Sequence, residues 1–292
     1  MPSPSITVVG SINMDLVAST QSLPQPGQTV LGRSFATVPG GEGSNQAIAA
    51  SRAGGDVSFG GAVGSDSFAD PLVETLADAG VRTGRVRRVE GASGIASISV
   101  AADGENTIIV IPGANGLLTE LTDADLSLIA GSRMVVLQLE IPVNTVILAA
   151  RAAHDAAIPV LLNPSPVQEL PAELLRAVTF LVVNEGEAAA LGDATLAAVP
   201  HVVTTLGARG ARFRGPSGER IDVPAPRIDP VDTTGAGDAF AGALAVLLAE
   251  GANPRSALQH ACAAGALATT VPGASSSSPM RAAIDDMVRS SY

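Results

Sequence analysis

From Arg133 onward the chain alternates short apolar runs with longer Ala-rich segments, and that rhythm admits few folds. Runs 134–139, 158–162, 180–183 and 201–205 have the length and composition of buried strands. The spacing predicts helices from Pro142 to about Ala157, and at roughly 235–250, 254–270 and 279–289. Pro142 is expected at the first helical position, where its missing N–H costs nothing. Strands that alternate with helices imply a mostly parallel sheet covered on both faces. Runs 6–9 and 57–63, with a helix at about 67–79, extend the same pattern toward the N-terminus. Runs 30–38, 95–101 and 107–111 fall outside the rhythm, the last two joined by a turn at Asp103-Gly104. They read as a small projecting sheet, a lid contributed by about 12–40 and 90–112, on a single domain spanning 1–292. No internal repeat or linker interrupts it, and Ser275 to Ser278 form the sole low-complexity patch.

The helix expected at 235–250 opens with Asp232-Thr233-Thr234-Gly235-Ala236-Gly237-Asp238. Small residues let backbone N–H groups approach an anion, and a helix N-terminus supplies unpaired donors and a positive dipole end. Asp238 falls in the first turn, placed to take a proton from a hydroxyl beside that anion. At an ordinary carboxylate pKa of about 3.9 it is ionised at neutral pH. An anion cradle beside a base is what phosphoryl transfer to an alcohol requires. The same residues also describe an ordinary helix start, and taken alone they leave both readings open.

Composition removes competing chemistries. All 17 basic residues are Arg, so P-loop NTPases, protein kinases with a strand lysine and Schiff-base enzymes are excluded. A net charge of -11 and 2% aromatic residues argue against nucleic-acid partners. The 46% hydrophobic content suffices for a large core. The single Cys262 reads as a small buried side chain in a reducing compartment, and His154, His201 and His260 lack metal-ligand spacing. With no membrane-spanning run and no basic-headed leader, a cytoplasmic protein is expected. Gly41-Glu42-Gly43 lacks the third glycine of a dinucleotide-binding fingerprint.

Polar residues cluster at the expected carboxyl ends of the strands: Asn13, Glu140, Asn163, Asn184 and Thr205. In open α/β sheets that edge is where ligands bind.

Residues 232–238 resemble the C-terminal signature of the ribokinase-like (PfkB) sugar and nucleoside kinases. Gly40-Gly41-Glu42-Gly43-Ser44-Asn45-Gln46-Ala47 is similar to that family's N-terminal di-glycine signature. Gly10-Ser11-Ile12-Asn13-Met14-Asp15 and Leu137-Gln138-Leu139-Glu140 resemble its ribokinase branch. The similarity runs from about Ile6 to Pro279. It implies a three-layer ribokinase-like α/β fold with a β lid, and ATP-dependent phosphorylation of a primary hydroxyl, foremost O5 of D-ribose. Deoxyribose, hexose or nucleoside acceptors, and a non-catalytic sugar-binding relative, are its alternatives.

The resemblance also assigns roles. Asp238 becomes the base, and Gly235, Ala236 and Gly237 the anion hole. Asn13, Asp15, Gly41, Asn45 and Glu140 fall where the family holds its sugar, although turn chemistry and helix caps account for such residues equally well one by one. Asn184 and Glu187 match an element that organises Mg²⁺ and phosphate; an N-cap with an acidic first turn is the alternative. Thr205, Leu206, Gly207, Arg209 and Gly210, with Gly237, match the ATP-binding loop, and Arg209 is a candidate phosphate partner. Asp232, Thr234, Ala268, Gly273 and Ser277 fall where ribokinases bind an activating K⁺, and caps and a polar turn explain them as readily. A homodimer through the lid is implied as well. Two features depart from the family: Glu42 replaces a customary lysine, and the interval from Asn184 to Thr205 is short, as though a helix had been trimmed.

Overall fold

The computed structural model describes residues 3–292. In chain order its elements begin with β1 (Ser5–Val9), β2 (Asn13–Thr20), β3 (Gly32–Gly40), α1 (Glu42–Arg52), β4 (Asp56–Val63), α2 (Ala69–Asp78) and β5 (Arg82–Arg88). There follow β6 (Gly94–Val100), β7 (Asn106–Ile111), α3 (Asp123–Ala130), β8 (Met134–Leu137), α4 (Val143–Asp155), β9 (Val160–Leu162) and α5 (Ala172–Ala177). The chain closes with β10 (Phe180–Asn184), α6 (Glu185–Ala197), β11 (His201–Thr205), β12 (Ala211–Arg214), β13 (Arg220–Val223), α7 (Ala236–Ala249), α8 (Pro254–Ala268) and α9 (Arg281–Ser291).

The apolar runs become a nine-stranded sheet in the order β13-β12-β11-β10-β9-β8-β1-β4-β5. From β11 to β5 every pairing is parallel, and β12 and β13 add an antiparallel hairpin at one edge. Alternating side chains divide the core in two. Ile6, Val8, Met134 and Val136 pack with α1, α7 and α8 on one face. Val9, Val135 and Leu137 pack with α4 and α5 on the other. Helices therefore cover both faces, as the alternation requires. A second sheet, ordered β3-β2-β6-β7, projects as the lid.

Several elements differ from the sequence expectation. β8 stops at Leu137, leaving Gln138 and Leu139 beyond it, and Pro142 occupies the N-cap one residue before α4. α1 shows no amphipathic stripe because Gly43 through Ala50 are all buried, so its helical period has no polar face to reveal it. The Arg-rich edge strand β5 lacks the apolar composition of its neighbours. The short 184–205 interval still holds a helix, α6, broken at Gly192 (φ 77°, ψ 160°).

Candidate active site

Gly235 caps α7 in the left-handed region (φ 73°), which only glycine adopts freely, and a Cβ there would lie 2.7 Å from the Ala274 Cα. Asp238 sits in the first turn, half-buried. Its Oδ2 accepts from Asn45 Nδ2 and its Oδ1 from Gln46 Nε2, both at 3.0 Å. Gln46 is itself held, since its Oε1 accepts from Gln138 Nε2 (2.6 Å) and its Nε2 also reaches Asn163 Oδ1 (3.1 Å). Contrary to the ordinary value expected from sequence, the Asp238 pKa is raised to about 7. Burial is the main cause; the Gln46 and Asn45 donors pull it down, while Glu140 and Asp15 push it up.

The start of α1 forms the facing wall. Gly41 (φ 93°) lets the chain pass so close to Asn13 that a Cβ would lie 2.8 Å from its amide nitrogen. Glu140 Oε2 accepts from the Glu42 amide at 2.9 Å and from the fully buried Ser11 hydroxyl, which in turn accepts from the Gly43 amide at 3.2 Å. Asn13 is locked by Asn115, whose Nδ2 donates to its Oδ1 at 2.7 Å. Glu42 Oε1 accepts from Ser165 Oγ at 2.5 Å, and its Oε2 is buried without a partner. Asp15, Glu42, Glu140 and Asp238 thus line one cleft of about 800 Å³ beneath the lid strands β6 and β7. Such crowding keeps protons on. Asp15 is raised to about 7 by burial and Glu140. Glu42 is raised to about 9, first by burial and then by Asp238 and Glu140, against the Ser165 hydrogen bond.

A second cleft, of about 600 Å³, lies on the other side of the α7 start. It is lined by Thr205, Gly207, Gly210, the 225–230 segment and Cys262. Tyr292 braces this wall by donating to the Pro224 carbonyl at 2.6 Å. Burial pushes the Cys262 thiol up to about 12. Arg209 pairs with Glu185 at the surface, and Leu206 donates its amide to the Gly210 carbonyl to close the loop. Asn184 and Glu187 form a reciprocal capping box, each side chain accepting the other's amide at 2.8 Å. Both the cap and the acidic first turn are therefore present, and one Glu187 oxygen stays outside the box. Among the described residues no group of three or more His, Cys, Asp or Glu could hold a metal unaided. One amide and one carboxylate instead suit Mg²⁺ that arrives with nucleotide phosphates and keeps its waters.

The loop beside α7 draws together most of the residues matched to a K⁺ site. Asp232 Oδ1 accepts from the Thr234 amide and hydroxyl, and Oδ2 from the Gly273 amide at 2.9 Å. Burial opposes its charge, but these donors outweigh it and hold the pKa below the ordinary value. Ser277 donates its hydroxyl to the Ala274 carbonyl, and the Ala268 carbonyl faces the Val271 amide. Carbonyls and one fixed carboxylate suit a monovalent ion.

Sequence reasoning missed Ser11, Gln46, Asn115, Gln138 and Ser165 as supports of the site. Ser11, Gln46 and Gln138 sit inside the signatures and Asn115 and Ser165 in short connecting segments, and only the hydrogen bonds made by the fold reveal their work. Residues 3–281 match the pfkB family carbohydrate kinases. The chain is 40% identical to the ribokinase of Bacillus subtilis over 97% of its own length and 99% of that protein. It is 34% identical to the deoxyribokinase of Salmonella typhimurium over 94% of its length and 95% of that protein. It superposes on Arabidopsis thaliana ribokinase complexed with ribose and ATP with a TM-score of 0.91 at 32% identity, covering 99% of each chain. Signatures, fold and site geometry converge: the chain belongs to the pfkB family of carbohydrate kinases.

Proposed function

We propose that this chain transfers the γ-phosphoryl group of ATP to O5 of D-ribose. One observation carries the reading: the first turn of α7 is the wall shared by both clefts. Gly235 and Asp238 line the acidic, sugar-sized one, while Ala236 and Gly237 line the other. A donor and an acceptor bound on either side meet at Asp238.

Asn13, Asp15, Asn45 and Glu140 bind the sugar hydroxyls, and Gly41 lets the ring lie against the backbone. Asp238 takes the O5 proton as O5 bonds to Pγ and the bond from Pγ to the bridging oxygen breaks, releasing ADP. The N–H groups of Gly235, Ala236 and Gly237 receive the charge that develops on the phosphoryl oxygens. Thr205, Leu206, Gly207, Arg209 and Gly210 hold the nucleotide; Arg209 must exchange Glu185 for phosphate to take part. Asn184 and Glu187 would hold Mg²⁺ through its waters, and the bound ion would neutralise charge on the phosphates. Asp232, Thr234, Ala268, Gly273 and Ser277 take K⁺ and fix the loop ahead of α7.

The relatives named ribokinase motivate ribose, and the one named deoxyribokinase supplies the competing acceptor. Measuring ADP release with ribose, 2-deoxyribose, hexoses and nucleosides decides between them. A higher kcat/KM for any acceptor other than ribose would overturn the choice. The lid leaves Phe35, Ile109 and Ile111 exposed, which suits a second copy seated there, and light scattering tests the dimer. No helix among the described residues is long and apolar enough to cross a membrane. With the lone buried thiol, we place the protein in the cytoplasm.

A further inference from the structure

The last residue of α1 points away from the sugar. Arg52 lies roughly 15 Å along the helix axis from Glu42, at a rise of about 1.5 Å per residue. Its Nη1 meets three main-chain carbonyls of one loop: Ser275 at 2.8 Å, Ser276 at 3.0 Å and Ser278 at 2.8 Å. Ser275 and Ser278 are buried, so their carbonyl oxygens have little access to water, while Ser276 stands at the exposed rim of the loop. Three carbonyl dipoles that converge at a partly buried loop repel one another unless a cation or donor stands between them. The guanidinium, permanently charged and only partly exposed, fills that place.

The other side of the same loop reaches the chemistry. Gly273 donates its amide to Asp232, and Ala274 packs so tightly on Gly235 that no side chain fits between them. Ala274 also lines the sugar cleft beside Gly235 and Asp238. The loop is therefore the floor on which the first turn of α7 rests, and Arg52 is the strut beneath it.

We propose that Arg52 is a positioning residue for phosphoryl transfer: it seats the 273–278 loop against the first turn of α7 and so sets where the N–H groups of Gly235, Ala236 and Gly237 stand. The proposal rests on the reading of that turn as the phosphoryl-binding element. Arg52 touches neither substrate, and its influence falls on the transition state more than on acceptor binding. Asn13 and Glu140, which bind the sugar, are held by Asn115, Ser11 and the Glu42 amide, and the loop reaches that wall only through the 3.4 Å hydrogen bond from Ser275 Oγ to the Pro39 carbonyl.

The test uses the full chain with its best acceptor, at fixed Mg²⁺ and K⁺. Arg52→Ala should lower kcat roughly tenfold or more, since sub-ångström to ångström misplacement of a catalytic group costs up to about 10². Acceptor KM should move less than about threefold. Guanidinium chloride at millimolar, non-denaturing concentration should restore part of kcat in Arg52→Ala and leave the wild type unaffected. A kcat within twofold of wild type, or a loss that guanidinium does not repair, would overturn the proposal. If Arg52→Ala does not fold, Arg52→Lys and Arg52→Gln replace it: the ammonium should keep several-fold more kcat than the neutral amide, and equal values would overturn the proposal. A wild-type protein inert toward every acceptor would instead remove the functional reading itself, and the proposal with it.

Discussion

Gln46 donates to Asp238 across 192 residues of sequence, from a side chain with no solvent exposure at all. The carboxylate at the head of α7 is thus aimed by the helix that opposes it. Its raised pKa gives the relationship a measurable signature. A base must be ionised to act, so kcat/KM should rise with pH through about 7, the value for Asp238 in the free protein. Gln46 favours the ionised form; Gln46→Leu removes that donor, and the acid limb should move to higher pH. An unmoved limb would mean that another group controls it.

Asp238→Asn keeps the shape and removes the basicity. Loss of a positioned base should lower kcat by about 10²–10⁴ while ribose affinity, measured by calorimetry, changes little. Turnover near the wild-type rate would withdraw the assignment.

The crowded carboxyls also govern stability. Asp15, Glu42 and Asp238 hold protons more tightly folded than unfolded. Between the ordinary carboxylate range and about pH 9 the folded state therefore binds more protons, and stability falls as pH rises. Their favourable contribution is complete below about pH 4 and lost through about 7 for the two aspartates and about 9 for Glu42. Ligand-free protein should melt at a lower temperature at pH 9 than at pH 6, and Glu42→Gln should flatten the upper part of that decline. A flat wild-type profile would contradict the burial of these groups.

K⁺ should activate indirectly, by fixing the loop that Asp232 already ties to Thr234 and Gly273. Activity in potassium should exceed that in a bulky organic cation at equal ionic strength, and Asp232→Ala should erase the difference. Equal rates in both salts would remove the ion from the account.

How much of this was legible beforehand depends on how each residue signals. The parallel strands announce themselves as apolar runs, because both faces of β1, β8, β9 and β10 are buried. Gly235, Gly237 and Asp238 are legible because helix-start chemistry has a local pattern. α1 was hidden by its own burial, and β5 by its arginines. The Gln46–Gln138–Asn163 relay was illegible for a different reason: hydrogen bonds between residues about a hundred positions apart leave no periodic trace. The pKa of Asp238 failed for the same reason, since it depends on which carboxyls the fold brings near.

Glu42 shows how the chain accommodates its departure from the family. An ionised carboxylate within about 4 Å of a phosphate charge would cost roughly 4 kcal/mol at an effective dielectric of 20. The structure offers relief: with a pKa of about 9, Glu42 is neutral at pH 7, hydrogen-bonded to Ser165 and adding no charge beside Asp238. Wild-type kcat/KM should therefore fall above about pH 9, as Glu42 ionises among Asp238 and Glu140. The chain has no lysine, and its one cysteine is pushed to about 12, so few groups compete to explain such a limb. Glu42→Gln should abolish it. Glu42→Lys places a cation among the carboxyls, which favours ionised Asp238; it should tighten ATP binding and shift the acid limb downward while ribose phosphorylation is kept or improved. A large loss of kcat/KM for ribose with lysine would instead mark Glu42 as a contact for a different acceptor. An alkaline limb that survives in Glu42→Gln would show that another group produces it.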